Sequence, residues 1–95
     1  MSKTDGALRL DERLRNWANA DKAWSDAADA ARVEAAWRRL ATHHQELLRM
    51  AYVWRADRGV ICRRLKIPQR PWYRYELEVT QAKAALDRFL HEERG

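Results

Sequence analysis

The strongest constraint on the fold is a short segment near residue 70 that carries both prolines of the chain, Pro68 and Pro71. Proline has no backbone N–H and clashes with the preceding helical turn, so it is tolerated in a turn or at the first position of a helix but not in a helix interior. The segment 67–71 therefore predicts an interruption between two helices, with the second helix starting at Pro71.

Elsewhere the local preference is for helix. Sixteen alanines stand against nine β-branched residues; alanine is the strongest helix former, whereas β-branched residues favour strands. A chain of 95 residues has room for one small core and not for two. These observations predict a single all-α domain over residues 1–95, a small helical bundle of about five helices. They exclude all-β folds and large multilayer enzymes.

Apolar side chains recur every three or four residues, which is the spacing of helices that bury one face. The helices predicted from this spacing are 8–24, 27–40, 43–55, 60–66 and 71–90. Most of the tryptophans lie on the predicted inward faces, and core packing is the expected role of Trp17, Trp37, Trp54 and Trp72. Trp24, at the end of the first helix, is less constrained, and an interface role is open for it.

Polar residues mark the predicted boundaries of the central helices. Thr42, followed three residues later by Gln45, fits a capping box. This signal favours two helices over a single long helix across residues 33–54. Gly59 is expected to supply a left-handed backbone in the polar turn that follows.

The positive charge is concentrated in the second half of the chain. Of the net charge of +5, residues 1–31 contribute five basic and six acidic groups, whereas residues 49–74 hold eight basic residues against one acid, Asp57. Fifteen of the nineteen basic residues are arginine, whose planar guanidinium suits bidentate contact with phosphate or guanine. The run predicts a polyanionic partner. The alternative is that these arginines only solvate a helical surface.

A short helix, a tight turn and a longer helix with a basic first turn form the order of a helix-turn-helix unit, whose later helix enters the major groove. The short helix would be 60–66, the turn 67–70 and the recognition helix 71–90. Residues at the start of the recognition helix would reach base edges, and cations on the short helix would grip phosphates. The predicted DNA-contacting residues are Arg58, Arg63, Arg64, Lys66, Gln69, Arg70, Tyr73 and Arg74.

The stretch from Leu40 to Leu90 resembles the C-terminal helix-turn-helix domain of sigma factors and, more narrowly, the phage antitermination protein Q family. The residues that carry the resemblance are Leu47-Leu48-Arg49-Met50-Ala51-Tyr52, Ile61, Leu65-Lys66-Ile67-Pro68, Trp72-Tyr73, Ala82 to Leu86 and, in the first helix, Leu14-Arg15-Asn16-Trp17. The resemblance implies a helix-turn-helix region over 43–90 with an N-terminal helical extension over 8–40.

The same resemblance implies a function. Members of the family bind a DNA element near a phage late promoter, load onto paused RNA polymerase and promote readthrough of pauses and terminators. The expected partners are therefore double-stranded DNA and the bacterial RNA polymerase holoenzyme. One departure concerns the residue that ends the short helix, which is often glycine in the family and is Lys66 here. A left-handed backbone at this position would cost about 1 kcal/mol.

Two other functions stay open. An ordinary helix-turn-helix repressor or activator would bind a palindromic site with a second copy of the chain on the DNA. A protein–protein adaptor of the same shape would instead place its arginine face against an acidic protein surface. Affinity for duplex DNA and its salt dependence distinguish the adaptor from the two DNA-binding proteins.

The sequence also predicts several absences. Neither a nucleophile–base pair nor a phosphate-binding glycine loop occurs, so the chain is not expected to be an enzyme. Cys62, the only cysteine, is expected to be a small buried side chain, and the adjacent His43 and His44 would point about 100° apart on a helix, so neither a metal nor a cofactor is expected. No apolar run approaches about 18 residues, and the N-terminus lacks an export signal. A cytoplasmic location is expected, in the host bacterium if the chain is phage-encoded.

Overall fold

The computed structural model describes the backbone of residues 3–93 and the side chains of residues 10–92. All regular elements within these ranges are helical: α1 (Lys3–Ala18), α2 (Ala27–Arg38), α3 (Thr42–Leu48), which runs into a π-helical turn (Arg49–Val53), α4 (Arg58–Leu65) and α5 (Arg74–Glu93). The prediction of a small all-α bundle of five helices is confirmed. The outermost residues of the predicted domain, 1–2 and 94–95, lie outside the described residues. No helix among those described is long and apolar enough to cross a membrane.

Helices α1 and α2 pack side by side, joined at their connected ends by polar contacts. The side chain of Asn16 exchanges two hydrogen bonds with the backbone of Asp26, at 2.8 and 2.7 Å. The carboxylate of Asp26 in turn caps α2 by accepting from the N–H of Asp29. These contacts end α1 at Ala18 rather than at residue 24, the predicted end, and leave Trp24 in the connecting loop with 69% of its surface exposed.

One core unites all five helices. α5 packs against α2 and α3, while the π-helical turn packs against α1. The small side chain of Cys62 is buried in this core, as the sequence predicts. The largest fully buried side chains are Leu14, Leu47, Leu48, Met50, Ile61, Leu86 and Val33. Apolar side chains are thus buried continuously from α1 to α5, and the described helices share one core.

Two tryptophans assigned to the core are in fact exposed. Trp54 is 50% exposed because its N–H bonds to the carbonyl of Arg49, five residues back, and this wider π-helical turn shifts the residues after it out of the four-and-three spacing. Trp72 is 72% exposed because it precedes α5 instead of lying inside it. Trp17 and Trp37 are buried as predicted, with ring centroids 5.6 Å apart.

The predicted helix-boundary signals in the centre of the chain are wrong in detail. Thr42 is already helical and makes no capping hydrogen bond. The amide of Gln45 instead donates to the carbonyls of Trp37 and Arg38, at 3.2 and 3.0 Å, and so satisfies the end of α2. Gly59 lies inside α4 with a negative φ, and the positive φ in the preceding turn belongs to Arg55.

Candidate nucleic-acid interface

The candidate site is built on α4, the loop 66–73 and the first turn of α5. α4 starts where the carboxylate of Asp57 accepts a hydrogen bond from the N–H of Gly59 at 3.0 Å. Ile61 and Cys62 are buried on one side of α4. Val60, Arg63 and Arg64 are exposed. The predicted basic helix therefore exists, although it spans Arg58–Leu65 instead of 60–66.

Lys66 ends α4 in the left-handed conformation, with φ 58° and ψ 40°. The backbone N–H of Ile67 bonds to the carbonyl of Cys62 at 2.9 Å, and the side chain of Ile67 is buried. This is the closing bond of a helix whose C-terminal residue is left-handed. It anchors the start of the loop to the core while Lys66 itself stays exposed.

The loop is longer than a helix-turn-helix connection. It runs over residues 66–73 between α4 and α5, whereas the motif joins its helices with three or four residues. Pro71 is not the first residue of α5, as predicted, because its carbonyl accepts the N–H of Arg74 in a separate turn and α5 begins at Arg74. The turn predicted at 67–70 is wrong in length, and four predicted contact residues lie in the loop: Lys66, Gln69, Arg70 and Tyr73.

Arg58 joins the two helices. Its guanidinium pairs with the carboxylate of Glu76 at 3.2 Å, donates to the backbone carbonyl of Trp72, and lies 5.2 Å from the ring centroid of Tyr75. These three contacts hold the end of the loop and the start of α5 against the start of α4. Arg58 therefore positions the surface around it, and both of its terminal nitrogens, Nη1 and Nη2, already donate within the molecule.

Arg74 is also paired within the molecule. It contacts the carboxylate of Glu78 at 3.4 Å, one turn further along α5, and the other oxygen of Glu78 lies 3.1 Å from the ring nitrogen of His43 on α3. Of the eight residues predicted to contact DNA, only Arg58 and Arg74 have a carboxylate partner among the side chains that the structure describes.

The remaining four cations of the predicted set are exposed and unpaired within residues 10–92. They occupy the outer side of α4, its C-terminal cap and the loop, and we call them the basic surface: Arg63, Arg64, Lys66 and Arg70. The guanidinium of Arg64 lies 6.0 Å from the ring centroid of Trp54. The guanidinium of Arg63 folds back toward Gly59 at the start of α4. Arg58 bonds the same end of α4 to the carbonyl of Trp72. Gln69 is exposed on the same loop.

Two aromatic side chains lie beside the basic surface, and the sequence prediction misassigned one of them, Trp72. Trp72 and Tyr73 are 72% and 53% exposed and pack edge to face, with ring centroids 5.8 Å apart. We call them the aromatic pair. From the sequence, Tyr73 was predicted to contact DNA and Trp72 to pack in the core.

A second polar cluster lies between α1, the π-helical turn and α5. The ammonium of Lys83 is 2.6 Å from a carboxylate oxygen of Asp11, and the hydroxyl of Tyr52 donates to the same oxygen at 3.2 Å. Burial acts to raise the pKa of Asp11, but these two partners outweigh it and hold the pKa below its usual value. Burial likewise acts to lower the pKa of Lys83, and the pairing with Asp11 raises it. The cluster is a clamp between helices.

Between the C-terminal end of α1 and the facing side of α2, two shallow depressions of about 280 and 290 Å³ share the side chains of Trp17, Ala20 and Glu34. The indole N–H of Trp17 donates to the carboxylate of Glu34 at 2.7 Å. Burial acts to raise the pKa of Glu34, but this bond and the one from Arg38 leave it lowered. This groove is separate in sequence from the basic surface.

Comparison with known proteins adds no assignment: no family model, curated protein or solved structure matches the chain. Within the described residues, no group of three or more His, Cys, Asp or Glu side chains could hold a metal ion.

Proposed function

We propose that this chain binds double-stranded DNA through the basic surface and acts as a phage-type transcription antitermination factor on RNA polymerase. The observation that carries the DNA-binding role is the set of four exposed, unpaired cations gathered on α4 and the loop 66–73. Cations that form no internal ion pair keep their full charge available for phosphates, and the release of counterions from DNA then drives binding.

Within this surface the four cations have two different roles. Arg63 and Arg64 lie on the outer side of α4 and Lys66 lies at its C-terminal cap, where a DNA backbone can pass along the helix, so we assign these three cations to phosphates. Arg70 lies on the loop, together with Gln69, and both are long enough to reach base edges in a groove. Arg58 and Arg74, which are paired internally, orient the loop and α5.

The antitermination role rests on the resemblance of residues 40–90 to the antitermination Q family. It requires a second surface for RNA polymerase. The groove around Trp17 and Glu34, together with the exposed Trp24 in the neighbouring loop, is the surface that we assign to this contact. It lies mostly on α1, α2 and the loop between them, where basic and acidic residues are nearly balanced, and this balance suits a protein partner rather than a polyanion.

In vitro transcription tests the proposal. The template carries the late promoter that neighbours the coding sequence of this chain, followed by a terminator. Readthrough of the terminator is measured with and without the protein. We expect readthrough to rise, to be lost when Arg63, Arg64 and Arg70 are all changed to Gln, and to persist when three exposed arginines elsewhere, Arg15, Arg32 and Arg88, are changed instead. Repression without readthrough would contradict the antitermination role and indicate an ordinary regulator.

A further inference from the structure

Two exposed aromatic side chains follow closely in the chain after the loop cations that the proposed function assigns to DNA, and duplex binding alone does not explain them. Trp72 and Tyr73 are large, exposed and side by side. An exposed tryptophan on a surface without cations indicates an apolar partner. Here the neighbouring loop residue Arg70 and the outer side of α4 carry unpaired positive charge, so the occupant must combine a flat apolar face with negative charge. Unpaired nucleotides have both properties, since each base offers a ring face and each phosphate a charge.

The aromatic pair is held in place rather than loosely attached. The backbone carbonyl of Trp72 accepts a hydrogen bond from Arg58, whose guanidinium also pairs with Glu76 on α5. Tyr73 supports Trp72 by edge-to-face packing, and the N–H of Leu77 bonds to the carbonyl of Tyr73 at 3.0 Å as α5 begins. The backbone that carries both rings is therefore fixed at the junction of two helices, which lowers the entropy lost when a base stacks on them.

We propose that Trp72, supported by Tyr73, stacks on unpaired DNA bases next to the duplex that the basic surface holds. The inference rests on the proposed function, because the basic surface is assigned to DNA there. It predicts that the chain prefers a duplex interrupted by a short bubble of unpaired bases to a fully paired duplex of the same length. A preference of about tenfold corresponds to about 1.4 kcal/mol, which lies within the range for stacking of one base on an aromatic side chain.

The test measures fluorescence anisotropy of two labelled DNA molecules, the paired duplex and the bubble duplex, with the full chain. We expect the wild-type chain to bind the bubble duplex about tenfold more tightly and Trp72→Ala to bind both equally, with its affinity for the paired duplex unchanged within about twofold. Trp24→Ala is the matched control, since Trp24 is equally exposed but lies in the loop between α1 and α2; it should keep the tenfold preference. Thermal unfolding of each variant verifies folding.

Two results would overturn the inference. One is a wild-type chain without preference for the bubble; the other is a preference that Trp72→Ala retains. An RNA strand of the same sequence provides a further arm, and a Trp72-dependent affinity for unpaired RNA but not for unpaired DNA would also contradict it. The failure of the proposed function looks different. If the proposed function is wrong, the chain does not bind the paired duplex at all. If only the stacking inference is wrong, the chain still binds the paired duplex, and Trp72→Ala leaves that affinity unchanged.

Discussion

Lys66 has a left-handed backbone conformation that residues other than glycine rarely adopt. Its φ of 58° closes α4, and the buried Ile67 next to it anchors the loop. A glycine would adopt this conformation without steric cost. The structure thus keeps a strained lysine where glycine is the simpler solution, which fits a residue retained for its charge on the basic surface.

A substitution at this residue separates stability from binding. We expect Lys66→Gly to stabilise the fold by about 0.5–1 kcal/mol, because it relieves the left-handed strain, and to weaken binding to paired DNA because one phosphate contact is lost. Lys66→Ala is the control that removes the charge without relieving the strain, so it should weaken binding similarly without the stabilisation. Urea unfolding and anisotropy measure the two effects. A glycine variant less stable than the wild type would contradict the assignment of strain.

Some arginines of the candidate site are paired within the molecule and others are not, and we expect substitution of the two kinds to have opposite effects. Arg58→Ala breaks the contacts to Glu76 and Trp72 that join α4 to α5, and we expect it to lower the melting temperature. Arg70→Ala has no internal partner to lose within the described residues, so it should leave the melting temperature unchanged and relax the preference among DNA sequences. Calorimetry and binding to a panel of duplexes measure this. Equal behaviour of the two variants would show that the division is wrong.

At the scale of elements, periodicity predicts where helices exist better than where they end. The stripe containing Ala82 and Leu86 is buried as its spacing predicts, because burial of one face repeats over many turns. Boundaries depend on single contacts that spacing does not encode. The hydrogen bonds between Asn16 and Asp26 end α1 early, and the bond from Trp54 to Arg49 makes the π-helical turn. The second of these bonds also explains why Trp54, which was assigned to the core, is exposed.

The candidate site, too, could be predicted only in part from the sequence. Its cations could be predicted, because a run of arginines with one acid is visible in the sequence. Their partners could not, since Glu76 and Glu78 lie outside that run and reach Arg58 and Arg74 only when α5 is in place. Tertiary pairing therefore decides which cations remain available for a ligand.

The clamp between α1, the π-helical turn and α5 makes stability depend on pH. The pKa of Asp11 is lowered in the folded chain, so its contribution is fully present above the ordinary aspartate value of 3.8 and is lost as the pH falls through the folded value. We expect Asp11→Asn to destabilise by up to about 1 kcal/mol at neutral pH, because the pair is partly exposed. The difference from the wild type should shrink under acid. Urea unfolding at neutral and acidic pH measures it, and a difference that grows with acidity would contradict the clamp.

At the scale of the whole molecule, the region of balanced charge and the unpaired cations lie in different parts of the sequence. The N-terminal helices carry nearly balanced charge and the groove that includes Trp17, whereas α4 and the loop after it carry the unpaired cations. Such a division suits a small protein that holds DNA with one surface and a protein partner with another. We therefore expect Trp24→Ala to reduce readthrough on RNA polymerase without reducing DNA affinity. Transcription and anisotropy assays of this variant measure the two effects, and a loss of both would contradict the separation.

The central claim is that the basic surface binds duplex DNA, and the salt dependence of that affinity tests it most directly. Each neutralised phosphate contributes about −0.9 to the slope of log affinity against log salt concentration. Changing Arg63, Arg64 and Arg70 to Gln should reduce the magnitude of the slope by about 2 to 3, whereas the matched change of Arg15, Arg32 and Arg88, which are also exposed, should leave it unaltered. Equal slopes for the two triple variants, or no measurable duplex affinity of the wild type at about 50 mM salt, would contradict the account.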